Sequence, residues 1–361
     1  MVAYIRELAV TRRHWLDEDT FKDGVALVQA VPGATAMQAA AWVGLKARGV
    51  SGALASYIGF ALPAFALMLV FSILYARAHS LPAAVALFAG LQVIVVAIVA
   101  NATLTFGREI FQGWQAPILA AAAGLLLWFG ISPFFVIIGA ALAGILFYAG
   151  AREGQSGAGV LAPGADFKTV PVALLLGLLA AAMLALFIFT RQLFYLAALM
   201  LRIDLFAFGG GFASLPLILY EVVHVHGWMD SQTFINGIAL GQVTPGPIVM
   251  TTTFVGYLAF GLAGAFVATA AVFSPSFLMI IIVTPFYDRL KRSPWFARAS
   301  AGVLASFVGL LAYVTVKFAI SVNWGPLKAL LAAAALAALV RKVDILYVVL
   351  AGGALSLLLL R

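Results

Sequence analysis

Long apolar runs separated by short polar connections dominate the chain. A helix that spans a bilayer needs about 20 mostly apolar residues. No run alternates apolar and polar positions in the way a membrane β-barrel requires. The pattern therefore predicts an all-α polytopic membrane protein, with helices near residues 21–45, 52–75, 83–106, 117–129, 133–148, 171–189, 193–223, 233–259, 262–286, 297–318, 327–340 and 345–360.

Composition supports this fold class and removes several functions. The 361 residues are 65% hydrophobic and only 9% charged, far too little charge to cover a soluble surface. The net charge of +8 lies in short connections, where it orients membrane helices, so nucleic acid is not expected as a partner. Cysteine is absent, and no carboxylate–histidine cluster or nucleotide-binding loop is present. We expect no metal, no cofactor and no enzymatic activity.

An internal repeat organises the chain. Residues 15–33 (WLDEDTFKDGVALVQAVPG) align with residues 228–246 (WMDSQTFINGIALGQVTPG) at an offset of 213, with 10 of 19 positions identical. The match continues at an offset of 212 through Gly44/Gly256, Gly49/Gly261, Gly52/Gly264, Pro63/Pro275, Pro82/Pro294 and Gly90/Gly302. Shared hydrophobicity alone would not align Trp, Asp, Gln, Pro and Gly, so we infer a duplication.

The repeat predicts three parts. Residues 1–150 form a first transporter repeat, residues 151–190 a linker with an extra transmembrane helix, and residues 191–361 a second repeat. One extra crossing between the halves would invert the second repeat relative to the first. The segment LRIDLFAFGGGFASLPLILYE (residues 201–221) has no full counterpart in the first repeat. A truncated chain, a late start codon and a naturally incomplete repeat are the alternatives.

In two inverted repeats, we expect broken or re-entrant helices at the Pro-Gly motifs, and such interruptions at corresponding positions point to a substrate site. Two prolines flank a glycine within the apolar run at Thr244, Pro245, Gly246 and Pro247. We expect one helix to end near Gln242 and another to begin near Pro245, offering its N-terminal amides and the hydroxyls of residues 251–253 to an anion. A simple proline kink is the alternative. The first repeat carries the weaker equivalents Gln29, Pro32 and Gly33.

A second candidate segment contains three consecutive glycines, Gly209, Gly210 and Gly211, followed by Ser214. Successive glycines are unfavourable inside a helix. The segment predicts either an unwound strip of backbone or a close contact between two helices.

Ionisable residues within apolar runs are functional candidates. Arg202 has three possible partners: an anion, Asp204 or a lipid headgroup. Asp17 and Asp230 recur beside tryptophans just before a helix, which is typical of N-caps, with proton coupling as the alternative. Glu221 is a further candidate for proton coupling.

The motifs FAFGGGFASLPLI, Trp-Met-Asp and GIALGQVTPGPI resemble the chromate ion transporter family in its long, two-domain form. The first repeat departs from the family pattern, reading Pro32-Gly33-Ala34 where Pro-Gly-Pro is usual. The resemblance implies a prokaryotic inner-membrane carrier that exports chromate, driven by the proton gradient or by exchange with sulfate. It places the family motifs on residues 208–211 and 242–247.

Three functional hypotheses follow. The first is a secondary transporter that exports chromate or a similar divalent oxyanion, driven by membrane potential, proton gradient or anion exchange. The second is a carrier of sulfate or another small anion on the same scaffold, and the third is an anion-conducting channel. The expected partners are the small oxyanion and the lipid bilayer, and the sequence leaves a homodimer open.

Overall fold

A computed structural model describes residues 1–149 and 169–360, and these residues are helical with short connections. The first repeat contains α1 (Val2–Arg6), α2 (Glu18–Ala30), α3 (Thr35–Ala78), α4 (Pro82–Ile110), α5 (Gln115–Trp128) and α6 (Pro133–Phe147). Helix α7 (Thr169–Phe189) follows, and the second repeat contains α8 (Arg191–Leu205), α9 (Ser214–Leu219), α10 (Ser231–Val243), α11 (Thr251–Val283), α12 (Tyr287–Lys291), α13 (Pro294–Ser321), α14 (Pro326–Val340) and α15 (Ile345–Leu359). The predicted linker lies outside the described residues.

Within the described part of the chain, five helices are long and apolar enough to cross a membrane. They lie at Thr35–Ala78, Pro82–Ile110, Val172–Phe189, Ile248–Phe286 and Pro294–Ser321. Many of their leucine, isoleucine and phenylalanine side chains are exposed, as expected of surfaces that contact lipid rather than water. The prediction of an all-α polytopic membrane protein is confirmed.

The duplication is visible in backbone detail. Asp17 and Asp230 occupy equivalent N-caps, and each carboxylate accepts a 2.7 Å hydrogen bond from the amide three residues later. A π-helical turn precedes each cap, at Glu7–Arg12 and at Tyr220–Val225. The same short motifs therefore fold the same way in both copies.

Helix α2 and the start of α3 form a helical hairpin. A Cβ added to Gly24 would lie 2.4 Å from the ring of Trp42, so the two arms pack side by side and antiparallel. In the second repeat a Cβ on Gly237 would lie 2.5 Å from the ring of Phe254. The hairpins turn at residues 31–34 and 244–247, which we call the first and second tips. Each first arm has 13 residues and is about 20 Å long, too short to cross a 30 Å core.

These hairpins distinguish between the two predicted forms of residues 21–45 and 233–259, which are a broken helix and a re-entrant segment at each Pro-Gly motif. Proline lacks the amide that would continue the ladder, and the residues that precede the new helices are extended, at Ala34 and Pro247. Because the chain reverses there, both segments are re-entrant.

A second sharp turn follows each hairpin. Arg48 and Phe260 have φ/ψ of −143°/23° and −140°/22°, and Gly49 and Gly261 follow with φ of 67° and 65°. The positive φ is readily adopted only by glycine. The residues before and after this turn pack closely. A Cβ on Gly44 would lie 2.3 Å from the Gly52 carbonyl oxygen, and a Cβ on Gly256 would lie 2.3 Å from that of Gly264. The repeated glycines therefore let each long helix fold back tightly on the hairpin.

The long helices of the two repeats pack antiparallel. Along α3 and α11, Tyr57 contacts Phe273, whereas Phe65, farther along α3, contacts Phe266, which is earlier in α11. A two-fold axis that relates antiparallel helices is perpendicular to them. The repeats are therefore inverted with respect to a bilayer that these helices span.

The axis passes between two equivalent threonines. Thr103 and Thr315, separated by 212 residues, hydrogen-bond to each other at 3.2 Å. Around this axis the repeats exchange their last helices: α4 packs on α14 and α15, and α13 packs on α5 and α6. Neither repeat therefore has a complete core of its own.

Candidate functional site

Each hairpin tip lies against the long helix of the opposite repeat. A Cβ added to Gly33 would lie 1.9 Å from the Ser276 hydroxyl oxygen, and one added to Gly246 would lie 2.5 Å from the Ala64 Cβ. Ser276 and Ala64 are equivalent positions, each directly after the proline inside its helix. The inverted symmetry thus brings the two tips inward from opposite sides.

A third hairpin lies in the second repeat. Helix α8 ends at Leu205, the chain unwinds, and a short 3₁₀ turn, Gly211–Ala213, leads into α9. Arg202 on one arm pairs with Glu221 on the other, which shows that the chain folds back. Gly209 and Gly210 have φ of 92° and 89°, so the glycine-rich segment is an unwound loop, one of the two predicted alternatives.

The glycine-rich loop, residues 206–210, contacts the first tip, and the residue that follows the loop contacts the residue that follows the second tip. The Gly33 amide donates to the Ala207 carbonyl at 2.9 Å. A Cβ on Gly210 would lie 3.3 Å from the Thr35 hydroxyl oxygen. Next to the loop, a Cβ on Gly211 would lie 2.7 Å from Ile248. Three non-helical segments that are far apart in sequence therefore meet where α3 and the turn before α11 begin.

Helix α3 and the turn before α11 begin where these three segments meet. The first amides of a helix have no carbonyl one turn earlier, and the dipole adds partial positive charge. Neither Ala34 nor Pro247, the residues before the two starts, provides a side-chain cap. The geometry therefore gathers backbone donors that suit an anion, without a lysine or arginine: no cationic side chain among the described residues is buried.

The hydroxyls of Thr251, Thr252 and Thr253 do not add to these donors. All three side chains are buried, and the first two donate at 2.8 Å to carbonyls three residues earlier. The hydroxyl of Thr253 is hydrogen-bonded to that of Thr269. The sequence suggested that they face an anion, but their protons are engaged within the helix, as is common for threonine in a first turn.

Gln242 has the most informative surroundings among the predicted side chains. Its Nε2 is buried and has no hydrogen-bond partner in the described part of the protein. An unpartnered buried donor is costly, so a ligand that accepts from it is favoured. The repeat-equivalent Gln29 is instead exposed. Ser214 and Thr244 are buried and donate to the nearby carbonyls of Gly211 and Gly241.

The two tips differ in exposure. Pro32, Gly33 and Ala34 are buried, whereas Pro245 is exposed and Gly246 and Pro247 are half-buried. The second tip, which carries the stronger motif, is the more accessible one.

Arg202 lies away from the tips. Its guanidinium is paired with Glu221 and lies 4.2 Å from the ring centroid of Phe134. Of the alternatives left open by the sequence, pairing with Asp204 is not observed. The pairing of Glu221 with Arg202 gives both residues a structural role in closing the third hairpin.

Asp17 and Asp230 lie at exposed N-caps, remote in sequence from the tips they precede. The backbone amide and hydroxyl of Thr20 donate to Asp17 at 2.7 and 2.9 Å, and these bonds lower the pKa of the Asp17 carboxyl. Both residues therefore act as N-caps, the first of the two roles predicted for them.

The Asp17 cap predicts a pH-dependent stability. Its carboxylate stabilises α2 above the unfolded-state pKa of about 4, and this contribution is lost as pH falls through the lower folded-state value. Asp17→Ala should therefore lower the unfolding temperature at pH 7, and the difference from wild type should shrink below about pH 4. Asp19→Ala, at a fully exposed position in the same turn, serves as the control. A difference that persists unchanged into acid would contradict the capping role.

Three residues that the sequence analysis did not assign to the site lie beside the first tip. Ser276 accepts a 3.3 Å hydrogen bond from the Ala34 amide, and Gln38 donates at 2.6 Å to the Pro32 carbonyl. Asp204, on α8, accepts from Ser276. Asp204 carried a signal, since it is a carboxyl within an apolar run. Ser276 and Gln38 carried none, because their position depends on contacts between repeats.

Inverted helical repeats with re-entrant hairpins and unwound backbone that meet inside the protein are an arrangement typical of membrane transporters. Among the described residues there is no cluster of side chains that could hold a metal.

Sequence comparison agrees with this class. The family model described as Chromate transporter matches residues 1–145 and 194–357. The uncharacterized transporter MJ0718 of Methanocaldococcus jannaschii is 40% identical over 360 residues, covering 99% of this chain and 89% of the relative. The chromate transport proteins of Pseudomonas aeruginosa and Cupriavidus metallidurans are 30% and 25% identical, each covering at least 86% of this chain and 75% of the relative. No solved structure matches the chain.

The chain belongs to the chromate transporter family. It is a multi-pass membrane transport protein and not an enzyme. The resemblance inferred from the glycine-rich and Pro-Gly motifs is confirmed.

Proposed function

We propose that this protein exports chromate or a similar divalent oxyanion across a prokaryotic inner membrane. The observation that supports this most directly is the meeting of the two hairpin tips and the glycine-rich loop around uncapped helix starts. The proposed ligands are the backbone amides of residues 209–211, of Thr35 at the start of α3 and of Ile248 after the second tip, together with the Gln242 side-chain amide. The prolines of both tips have no amide hydrogen, and the amides of Gly33, Ala34 and Gly246 already donate to protein oxygens. Relatives named as chromate transport proteins favour chromate within this class of anion.

A site built from amides suits a carrier that must release its cargo. Backbone and side-chain amides bind an anion through several moderate hydrogen bonds, whereas a cage of arginines would hold it more tightly. The absence of buried cations among the described residues is consistent with this design.

The membrane potential is a sufficient driving force. An inside-negative potential moves each negative charge outward with about 2.3 kcal/mol per 100 mV, and a dianion with about twice that. At equilibrium this corresponds to a concentration ratio on the order of 10³ for the dianion alone.

Transport by purified protein in proteoliposomes tests the proposal. With the lumen made positive, we expect labelled chromate to accumulate inside, with saturation and with counterflow by unlabelled chromate. Parallel assays with sulfate and molybdate rank the substrates, and faster saturable uptake of sulfate would move the assignment to a sulfate carrier. Single-channel current steps would indicate a channel. Uptake of all three anions no faster than into protein-free vesicles would contradict the proposal.

A further inference from the structure

One buried carboxyl is not used by the proposed anion site. Asp204 is 1% exposed. Its Oδ2 accepts hydrogen bonds from the Ser276 amide at 2.7 Å and from the Ser276 hydroxyl at 2.6 Å. Its Oδ1 is buried and has no partner among the described residues. Burying a carboxylate without a cation costs more than burying the neutral, protonated carboxyl.

Asp204 lies deep in the membrane-spanning part of the protein. It is 13 residues beyond Arg191, an exposed residue at the start of α8, and this distance corresponds to about 20 Å along the helix. The unwound glycine-rich loop begins two residues later. The depth matches that of the hairpin tips, whose first arms are also about 20 Å long.

Asp204 is connected to the first tip through one residue. Ser276 donates its hydroxyl proton to Asp204 and accepts from the Ala34 amide at the start of α3. On the loop side, the Ala207 carbonyl holds the Gly33 amide. The carboxyl is therefore close to the donors assigned to the anion.

No cation compensates the carboxyl in the described part of the protein. Tyr57 of α3 is the ionisable side chain that faces it. Helices α7 and α9 contain no ionisable residue, and α11 contains only Tyr257. On α8 itself, Arg202 is paired with Glu221.

We propose that Asp204 is the proton-binding residue of this transporter and that it must be protonated for the oxyanion to bind. An ionised carboxylate near the tips repels a dianion in a medium where charges are weakly screened. Protonation removes that repulsion, so proton binding and anion binding favour each other by linkage. This inference rests on the proposed anion site and goes beyond it in naming the coupling residue.

The sign of the coupling fixes the direction of the proton. The protonated form binds the anion, and in the proposed cycle the proton leaves with the anion and the empty protein returns deprotonated, so one proton and one anion move together. The moving unit is a dianion with one proton, so its net charge is −1 instead of −2. At a membrane potential of about 100 mV and without a pH gradient, the highest accumulation ratio of chromate is therefore roughly 50-fold instead of on the order of 10³.

The accumulation limit for chromate, measured at alkaline pH where chromate is dianionic, tests the proposal in the wild-type protein. We expect chromate to accumulate up to about 50-fold. A pH dye trapped in the vesicles should show that protons move in the same direction. A limit near 10³ without proton movement would overturn it while leaving the proposed anion transport intact. Absence of any anion flux would instead contradict the proposed function.

Asp204→Asn separates protonation from structure. Asparagine keeps an oxygen that can accept from Ser276 but stays neutral. We expect this variant to transport chromate without protons and to reach the higher limit, on the order of 10³. An Asp204→Asn variant that still moves one proton per anion would overturn the proposal.

Infrared difference spectroscopy gives a readout that does not depend on transport. Acidifying the reconstituted wild-type protein should produce a protonated-carboxyl band that is missing in Asp204→Asn. Ser276→Ala, which copies Ala64 of the first repeat, removes one donor to the carboxylate and should move the titration midpoint of this band upward by about one pH unit or more. A spectrum in which Asp204→Asn keeps the band, or a midpoint unmoved by Ser276→Ala, would contradict the assignment.

Discussion

Replacing Gln242 with alanine is expected to weaken chromate binding by about 10- to 150-fold while the protein still folds and reaches the membrane. The reason is the buried Nε2, which has no partner in the described structure and lies just before the second tip. A hydrogen bond to a charged group contributes about 1.5–3 kcal/mol, and each 1.4 kcal/mol is a factor of ten in affinity. Concentration-dependent uptake into proteoliposomes measures the loss as a rise in the half-saturating chromate concentration.

The repeat provides the matched control for this variant. Gln29 has the same place in the first repeat but is exposed, so Gln29→Ala should leave chromate transport unchanged. Gln242→Glu keeps the shape, removes the amide donor and adds a negative charge, and should reduce transport further than alanine does. Equal effects of Gln29→Ala and Gln242→Ala, or normal uptake by Gln242→Glu, would contradict the role of Gln242 as an anion ligand.

Gly302→Ala is expected to cause a large loss of stability, because Gly302 lies where backbones of the two repeats come into close contact. A Cβ at Gly302 would lie 2.1 Å from the Ala140 carbonyl oxygen and 2.8 Å from the Gly144 Cα, which are both backbone atoms. Because α13 and α6 can relieve this overlap only by moving apart, we expect a destabilisation of about 1–3 kcal/mol or more. Thermal unfolding in detergent measures it as a lower unfolding temperature.

Gly139→Ala is the control for the helix-propensity effect. Gly139 lies on α6, close to Ala140 and Gly144, but a Cβ there meets no atom within 4 Å. Alanine is favoured over glycine inside a helix by up to about 1 kcal/mol, so this variant should be as stable as wild type or more stable. If both substitutions destabilise the protein equally, the loss at Gly302 does not come from the close contact between α13 and α6.

Local features of the site could be predicted because they depend on neighbouring residues. The Pro-Gly motifs predicted helix breaks because proline cannot donate to the helical ladder, and the breaks lie at residues 31–34 and 244–247. The aspartates before α2 and α10 predicted N-caps for the same kind of reason. The consecutive glycines predicted unwound backbone as one of two alternatives.

Other features could not be predicted because they depend on contacts between segments far apart in sequence. Hydrophobicity is the same for a helix that crosses the bilayer and for a hairpin that enters and returns, so the sequence leaves broken and re-entrant helices as alternatives at residues 21–45 and 233–259. Gln29 and Gln242 occupy equivalent positions in the two repeats, yet Gln29 is exposed and Gln242 has a buried amide nitrogen. Only the packing around each repeat distinguishes them.

The sequence by itself determined the membrane fold class, the duplication, the helix breaks and the family, since each is encoded in composition or in short motifs. The tertiary structure decided how these parts meet. The antiparallel packing of α3 on α11 brings the tips inward from opposite sides, and the exchange of terminal helices joins the repeats into one core. The packing of α8 on α11 places Asp204 beside Ser276, 72 residues away. A carboxyl in an apolar run has no defined partner until the chain folds, because its environment is made by helices that the local sequence does not specify.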